Sequence, residues 1–352
     1  MTASAKGEQR RTNPTHMVHS FFPMYISKTG ASALPYLFFL IVAALLPLPG
    51  DAQVAEPPQT GPDGAYTLQL NADMVMLSAT VLDRHNAPVS GLSKDDFRIY
   101  EGGVLQEIKN FSHDDIPVTA GILVDNSGSM ASKRKDVIAA ALAFAGSSNS
   151  QDQMFVVNFN DHVSFGLPPD VPFTGRQEEL QQALSSIRAI GMTSLYDGIA
   201  VALDHLRQGS RDKKVLILIS DGGDDASKHS LAQVIEMARR SAAIIYAIGI
   251  FDDLDGDQNP GVLKQLAKET GGEAFFPASS ADASSICEEI ARDIRSQYTL
   301  TYIPADASQD GRYRAIEVKA TPPGRGRLSV RTRAGYFVPL HTPESAAKGA
   351  QP

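Results

Sequence analysis

Cysteine occurs once in the 352 residues, at Cys287. No intramolecular disulfide can form, and a cysteine-rich zinc site and a disulfide-stapled small domain are both excluded. Cys287 shares a helical face with Ile290 and Ile294, which is a packing position. Positive charge is also scarce: 32 Lys and Arg stand against 40 Asp and Glu, a formal charge of −8. Without the basic patch that gives sequence-independent phosphate affinity, a nucleic-acid partner is not expected. An apolar run of the about 20 residues that a membrane helix needs is missing too. So are hydrolase signatures. There is no G-x-S-x-G elbow, Ser127 stands where an aspartyl phosphatase motif D-x-D-x-T needs its second acid, and no histidine adjoins the oxygen-rich loops in sequence. What remains is an ordinary globular composition, 43% hydrophobic and 20% charged, enough for one or two domains with a sizeable core.

The longest apolar run, YLFFLIVAALL, lies between Pro35 and Pro47, follows Lys28 and precedes Gly50-Asp51-Ala52. That order fits a signal peptide over 1–52, cleaved after Ala52 by the small-x-small rule, with Met24 as a start giving a more usual length. An uncleaved signal anchor, and with it a membrane span, is the competing reading, which the bounding prolines oppose. Either way the rest is expected to be exported, to a periplasm, a cell surface or the medium. Removing Lys6, Arg10, Arg11 and Lys28 with Glu8 and Asp51 takes away a net +2, leaving an acidic mature chain of −10. Residues 53–65, rich in Pro and Gly, read as a linker, and 339–352 as a flexible tail.

Two β-rich ends flank a different middle. In VMLSATVLD the apolar residues alternate, a turn follows at HNAP, and FRIYEGGVLQEIKNF reads as two strands around a Glu101-Gly102-Gly103 turn. Far downstream, QYTLTYIP, RYRAIEVKA and RLSVRTRAGYFV are again strand-like. Neither group buries enough surface alone. Segments 66–116 and 297–338 are therefore expected to pair as one small discontinuous β-sandwich unit. Between them, over 117–296, four apolar runs lack polar alternation: VTAGILV, MFVVNF, VLILIS and AIIYAIGI. Such strands are buried on both faces. With helical stripes between them, they imply an α/β fold, an open, mostly parallel, doubly wound sheet flanked by helices.

In such sheets ligands bind beyond the carboxyl ends of the strands. Three of these places carry oxygen: Asp125-Asn126-Ser127-Gly128-Ser129, the loop GMTSLYDGI with Thr193, and Asp221-Gly222-Gly223-Asp224-Asp225. Hydroxyls and carboxylates are hard ligands for Mg²⁺, Mn²⁺ or Ca²⁺ rather than zinc or copper. Any one of these loops alone reads more simply as a helix N-cap. Ser194 and Asp197 have the spacing of a capping box, which would hold the Thr193 loop to its helix. Asp224 and Asp225 read as solvated loop acids. DDLDGDQN (252–259) echoes a calcium loop but has Gln258 where glycine and Lys264 where glutamate are expected, so it reads as a surface loop.

Together, DNSGSM, the T-S-L-Y-D loop and ISDGGDD resemble the metal-ion-dependent adhesion site of von Willebrand factor type A domains, over roughly 117–296. There a D-x-S-x-S loop, a threonine and an aspartate from three loops surround one divalent cation. The stretches GLSKDDFRIYEGG, ETGGEAFFP, QYTLTY and RAGYF extend the likeness to the VWFA-related acidobacterial subfamily. The resemblance implies that Ser127, Ser129 and Thr193 offer hydroxyl oxygens to the metal, while Asp125 and Asp221 bind it directly or through water. It implies Mg²⁺, with Mn²⁺ or Ca²⁺ as alternatives, and a protein ligand whose Asp or Glu carboxylate completes the coordination. That is binding without turnover. The alternative is a metal-dependent hydrolase using the same ion. A magnesium-chelatase-like subunit conflicts with the signal peptide.

Overall fold

The structure, a computed structural model, describes residues 74–251 and 258–340. The expected signal peptide, the linker, most of the expected tail and most of the acidic loop at 252–259 lie outside the described residues.

Four strands come first: β1 (Val75–Leu82), β2 (Phe97–Glu101), β3 (Val104–Gln106) and β4 (Ile108–Ser112). The middle then alternates through β5 (Val118–Asp125), α1 (Arg134–Ser147), β6 (Gln153–Phe159), β7 (Val163–Phe165), α2 (Gln177–Ser185) and α3 (Leu195–Leu206). It continues through β8 (Lys213–Ser220), α4 (Leu231–Ser241), β9 (Ile244–Gly249), α5 (Pro260–Thr270), β10 (Ala274–Phe275) and α6 (Ala283–Arg295). The chain returns to strand in β11 (Tyr298–Tyr302), β12 (Tyr313–Ala320), β13 (Ser329–Arg331) and β14 (Gly335–Phe337).

The middle sheet has the order β10-β9-β8-β5-β6-β7 and is parallel except for β7, which runs antiparallel to β6. Every residue of β5 and of β9 is buried, as a strand covered on both faces requires. The helices do the covering: Val137, Ala141 and Phe144 of α1, Leu180 and Leu184 of α2, and Cys287, Ile290 and Ile294 of α6 all enter one core. Each large apolar side chain placed there contributes about 1.5–3 kcal/mol. Burial pushes the Cys287 thiol up to about 12, so it packs and does not react. Local chemistry fixes the helix ends. The Asn259 side chain accepts from the Val262 N–H (3.2 Å), Pro260 opens α5, and Gly271 closes it in the left-handed region.

The flanking strands form two four-stranded sheets, β13-β1-β11-β4 and β14-β12-β2-β3, each mixing strands from both ends of the chain. Val75, Leu77, Ala79 and Val81 face Phe97, Ile99, Leu300, Val318 and their neighbours in a second core. Two runs that read as single strands are each broken. FRIYEGGVLQEIKNF has its turn at Gly102-Gly103, but its second arm divides at Glu107: β3 pairs with β2, whereas β4 crosses to pair with β11. The buried Gln106 side chain makes that corner, accepting from the Ala305 N–H (2.9 Å) and donating to the Val104 carbonyl (3.1 Å). RLSVRTRAGYFV likewise divides into β13 and β14 on different sheets. Apolar alternation cannot mark such corners, because both sheets share one core and the buried face continues through the bend. The short edge strands β7 and β10 also escape pattern reading.

Candidate functional site

The direction of chain crossover reverses between β5 and β8: the chain leaves β5 for β6 on one side and later returns to β8 on the other. Such a reversal leaves a crevice at the carboxyl ends of the two strands. Asp125 is the last residue of β5, and Asp221 follows β8 directly.

Four of the five sequence candidates, Ser127, Ser129, Thr193 and Asp221, line one cavity of about 430 Å³ in that crevice. Ser129 Oγ donates to Asp221 Oδ2 at 2.7 Å, and Ser127 Oγ lies 3.1 Å from Ser129 Oγ. Thr193 joins them from the loop before α3. Asp125 is not on the wall. It lies beneath, 2% exposed, with Oδ1 accepting the Ser127 N–H (2.9 Å) and Oδ2 accepting Ser220 Oγ (2.6 Å). Burial foremost, and then the nearby Asp221 charge, push its carboxyl up to about 6 against the pull of those hydrogen bonds. Asp125 thus shapes the Ser127-Ser129 loop from below.

Backbone contacts hold the loops together. The Gly128 N–H donates to the Gly191 carbonyl (3.0 Å) and the Ile190 N–H to the Asn126 carbonyl (2.9 Å). Gly191 and Gly222 sit at φ +85° and +83°, where a side chain is strained. At Gly222 a Cβ would also meet the Asn259 carbonyl oxygen at 2.5 Å.

Two local readings are corrected here. Ser194 and Asp197 form no capping box: Ser194 Oγ donates to the Asn160 carbonyl (2.6 Å), and Asp197 accepts from the N–H groups of Lys228 and His229 and pairs with His229 Nδ1 (2.7 Å). Both join distant loops, which spacing along one helix cannot show. Asp224 and Asp225 are not idle solvated acids. Asp225 Oδ1 accepts the Thr193 N–H (2.6 Å), while Asp224 Oδ1 accepts the Tyr196 N–H (3.1 Å) and Ser227 Oγ (2.5 Å). They fix the Thr193 loop over the crevice. Burial raises the Asp224 carboxyl above its ordinary value. Ser220, Tyr196 and Asn259 also belong to the site or its support; each lies inside a quoted stretch, ISDGGDD, T-S-L-Y-D and DDLDGDQN, that gave it no role of its own.

Asp221, Asp224 and Asp225 border the cavity, and among the described residues no lysine, arginine or histidine does. Its electrostatics therefore favour a cation. Among the described residues no cluster of three or more His, Cys, Asp or Glu side chains is arranged to hold a metal. The donors that converge here are instead hydroxyls with a carboxylate, which fits a hard divalent ion.

Over residues 121–290 the sequence matches the family model of the von Willebrand factor type A domain. The chain carries a von Willebrand factor type A domain. Solved structures similar to it include a von Willebrand factor type A protein from Catenulispora acidiphila, 12% identical, covering 79% of this chain and 76% of that one at a TM-score of 0.47. Another is the domain of the type V pili tip protein Mfa5 from Porphyromonas gingivalis, 15% identical, covering 51% and 95% at 0.43. A third is proximal thread matrix protein 1 from the mussel byssus, solved with a zinc-occupied MIDAS motif, 17% identical, covering 51% and 48% at 0.42. No curated protein matches the chain. The matched residues of this von Willebrand factor type A domain include the crevice at the carboxyl ends of β5 and β8.

Proposed function

We propose that the protein is an exported, non-catalytic binding protein that holds one divalent cation, Mg²⁺ with Mn²⁺ or Ca²⁺ as alternatives, at Ser127, Ser129, Thr193 and Asp221. Asp125 supports the site from beneath and would bind the ion directly or through water. The ligand is a protein that presents an Asp or Glu carboxylate. One observation carries this reading: side chains from three separate loops meet in one acidic cavity, with Ser129 Oγ already 2.7 Å from Asp221 Oδ2.

When bound, the cation supplies a positive centre that draws an incoming carboxylate and keeps exchangeable waters for it to replace. The chain's own residues do the rest. Asp221 offers charge, the two serines and Thr193 offer neutral oxygens, and the Asp224 and Asp225 contacts keep Thr193 in place. Bare acids alone would repel a carboxylate partner, so binding is conditional on the ion. Among the described residues no histidine lines the wall, so the metal-dependent hydrolase alternative would have to take its base from the aspartates.

Calorimetric titration of the purified protein with Mg²⁺, Mn²⁺ and Ca²⁺ tests the site, and cross-linking in the native cells with and without chelator tests the partner. Saturable binding of one ion and partners lost on chelation are expected. If none of the three ions binds, the proposal fails. Export is checked by mass spectrometry of the protein outside the cytoplasm, with a mature start near Gln53 expected.

A further inference from the structure

A second cavity, of about 370 Å³, lies at the other end of the parallel strands, where the sandwich meets the starts of β8 and β9. Its size falls within the range of small-molecule sites. Much of its wall is apolar, from Met76, Ile244, Ile303, Tyr336 and Val338, and Arg333 is set among them.

Among the described residues the other arginines around this cavity hold carboxylates, while the Lys213 ammonium is turned to the Ile294 carbonyl. Arg314 takes Glu101 (2.9 Å) and Asp306 (3.2 Å), Arg239 takes Glu269 (2.8 Å), and Arg240 takes Glu236 (2.8 Å). The Lys214 ammonium donates to the Gly209 carbonyl (2.6 Å). Arg331, two residues before Arg333, holds Glu273 and Asp293. Arg333 has no carboxylate partner among the described residues. Its Nη2 donates to the Met76 carbonyl (3.0 Å), its plane lies over the Tyr336 ring with the centroid at 5.4 Å, and its Nε is sealed without an acceptor. Burial pulls its pKa below the ordinary arginine value. A guanidinium that stays charged and gives up water without gaining an anion is an open recognition element.

We propose that this cavity binds a small amphipathic monocarboxylate, with the carboxylate against the Nη1–Nη2 edge of Arg333 and an aliphatic body along Met76, Ile303 and Val338. One unpaired guanidinium matches one negative charge and the planar carboxylate geometry. A phosphate dianion would need a second cation beside Arg333; the arginines nearby hold carboxylates, and the Lys213 and Lys214 ammoniums are turned to the Ile294 and Gly209 carbonyls. A bare inorganic ion would leave the apolar wall unused. The site is separate from the cation crevice and does not depend on it.

The test uses the full chain, with octanoate, octanol and inorganic phosphate as probes in equilibrium titrations. Octanoate should bind at one site at least about tenfold more tightly than octanol. In Arg333→Gln that preference should vanish while octanol affinity stays the same, and in Ile303→Trp, which fills the mouth, both should weaken. Should Arg333→Gln fail to fold, as a thermal melt would show, Ile303→Trp still decides whether binding is in this cavity. Equal affinity for octanoate and octanol, a preference that survives in Arg333→Gln, octanoate binding untouched in Ile303→Trp, or phosphate competing as well as octanoate would each overturn the assignment.

Discussion

Asp293 on α6 is 8% exposed and ties the two cores together. Its Oδ1 accepts Thr80 Oγ1 from β1 (3.0 Å), and its Oδ2 accepts Tyr246 OH from β9 (2.5 Å) and Arg331 Nη2 from β13 (2.5 Å). The Gln297 amide donates to both Thr80 and Tyr246 at 3.1 Å. Burial and the Asp293 charge hold the Tyr246 phenol far above its ordinary pKa, so it remains a donor. Replacing Asp293 by Ala strips Arg331 of its inner anion and leaves two hydroxyl donors without that acceptor. Breaking one side of a buried ion pair costs about 3–5 kcal/mol, and Arg331 keeps the more exposed Glu273, so we expect about 3–4 kcal/mol. Out of a total stability of about 5–15 kcal/mol that is a large share. Urea unfolding measures it. Arg331→Met should also be destabilising, and the double variant Asp293→Ala/Arg331→Met should lose about 1–3 kcal/mol less than the two singles together, because neither orphan remains. A loss below about 1 kcal/mol for Asp293→Ala, or strictly additive singles, would refute the argument.

In thermal melts with Mg²⁺ and with EDTA, the wild type should show a metal-dependent rise in midpoint that Asp221→Ala lacks, since an ion stabilises by RT ln(1 + [L]/Kd) only where it binds; equal rises in both would remove Asp221 from the site. Gly222→Ala, which forces a side chain at φ +83° against the Asn259 carbonyl, should cost about 1–3 kcal/mol in urea and weaken ion binding, and an unchanged midpoint would contradict the strain. Lys213 is 3% exposed, and burial pulls its ammonium down to about 8 although Asp293, Asp115 and Asp152 pull the other way. Between about 8 and its ordinary 10.5 the unfolded chain binds the extra proton, so stability contributed by this group rises with pH across that window and its penalty, about 3 kcal/mol, is complete below it. Lys213→Met should therefore lack this rise between pH 8 and 10, compared with wild type by urea unfolding at each pH; parallel curves would show that Lys213 titrates normally.

The sequence shows the parallel sheet plainly because burial on both faces leaves no polar alternation, and VLILIS and AIIYAIGI have no other comfortable setting. The cation crevice is legible for a related reason: polar residues that interrupt apolar strands at their carboxyl ends must serve something there, and the three loops then converge by topology alone. Asp224 and Asp225 were misread because what they bind, the amides of Tyr196 and Thr193, lies in another loop. Asp125 shows the same limit in milder form, since sequence places it in the motif but only the structure shows both its oxygens held by Ser127 and Ser220. The β corners at Glu107 and Thr332–Ala334 hide for a packing reason, because each strand changes sheet without changing the core it faces. Arg333 gives no sign in sequence at all: Arg314 and Arg331 have carboxylates beside them, and among the described residues Arg333 has none.

The insertion of the parallel sheet into the sandwich sets the cation crevice apart from the chain connections. The chain passes between the two bodies at the start of β5 and the end of α6, where Arg295 pairs with Asp115 (2.8 Å), the His113 ring meets the Ser296 carbonyl (2.9 Å) and the Val118 N–H donates to Asp152 (2.7 Å). The cation crevice lies at the other end of β5. Eight residues of strand at about 3.3 Å each separate the two by about 26 Å. Between the two ends β5 and β8 are paired from Val118 to Val124. On the sandwich side of the junction the buried Asp293 side chain joins α6 to β1 and β13. The crevice loops thus lie at one end of the sheet and both chain connections at the other.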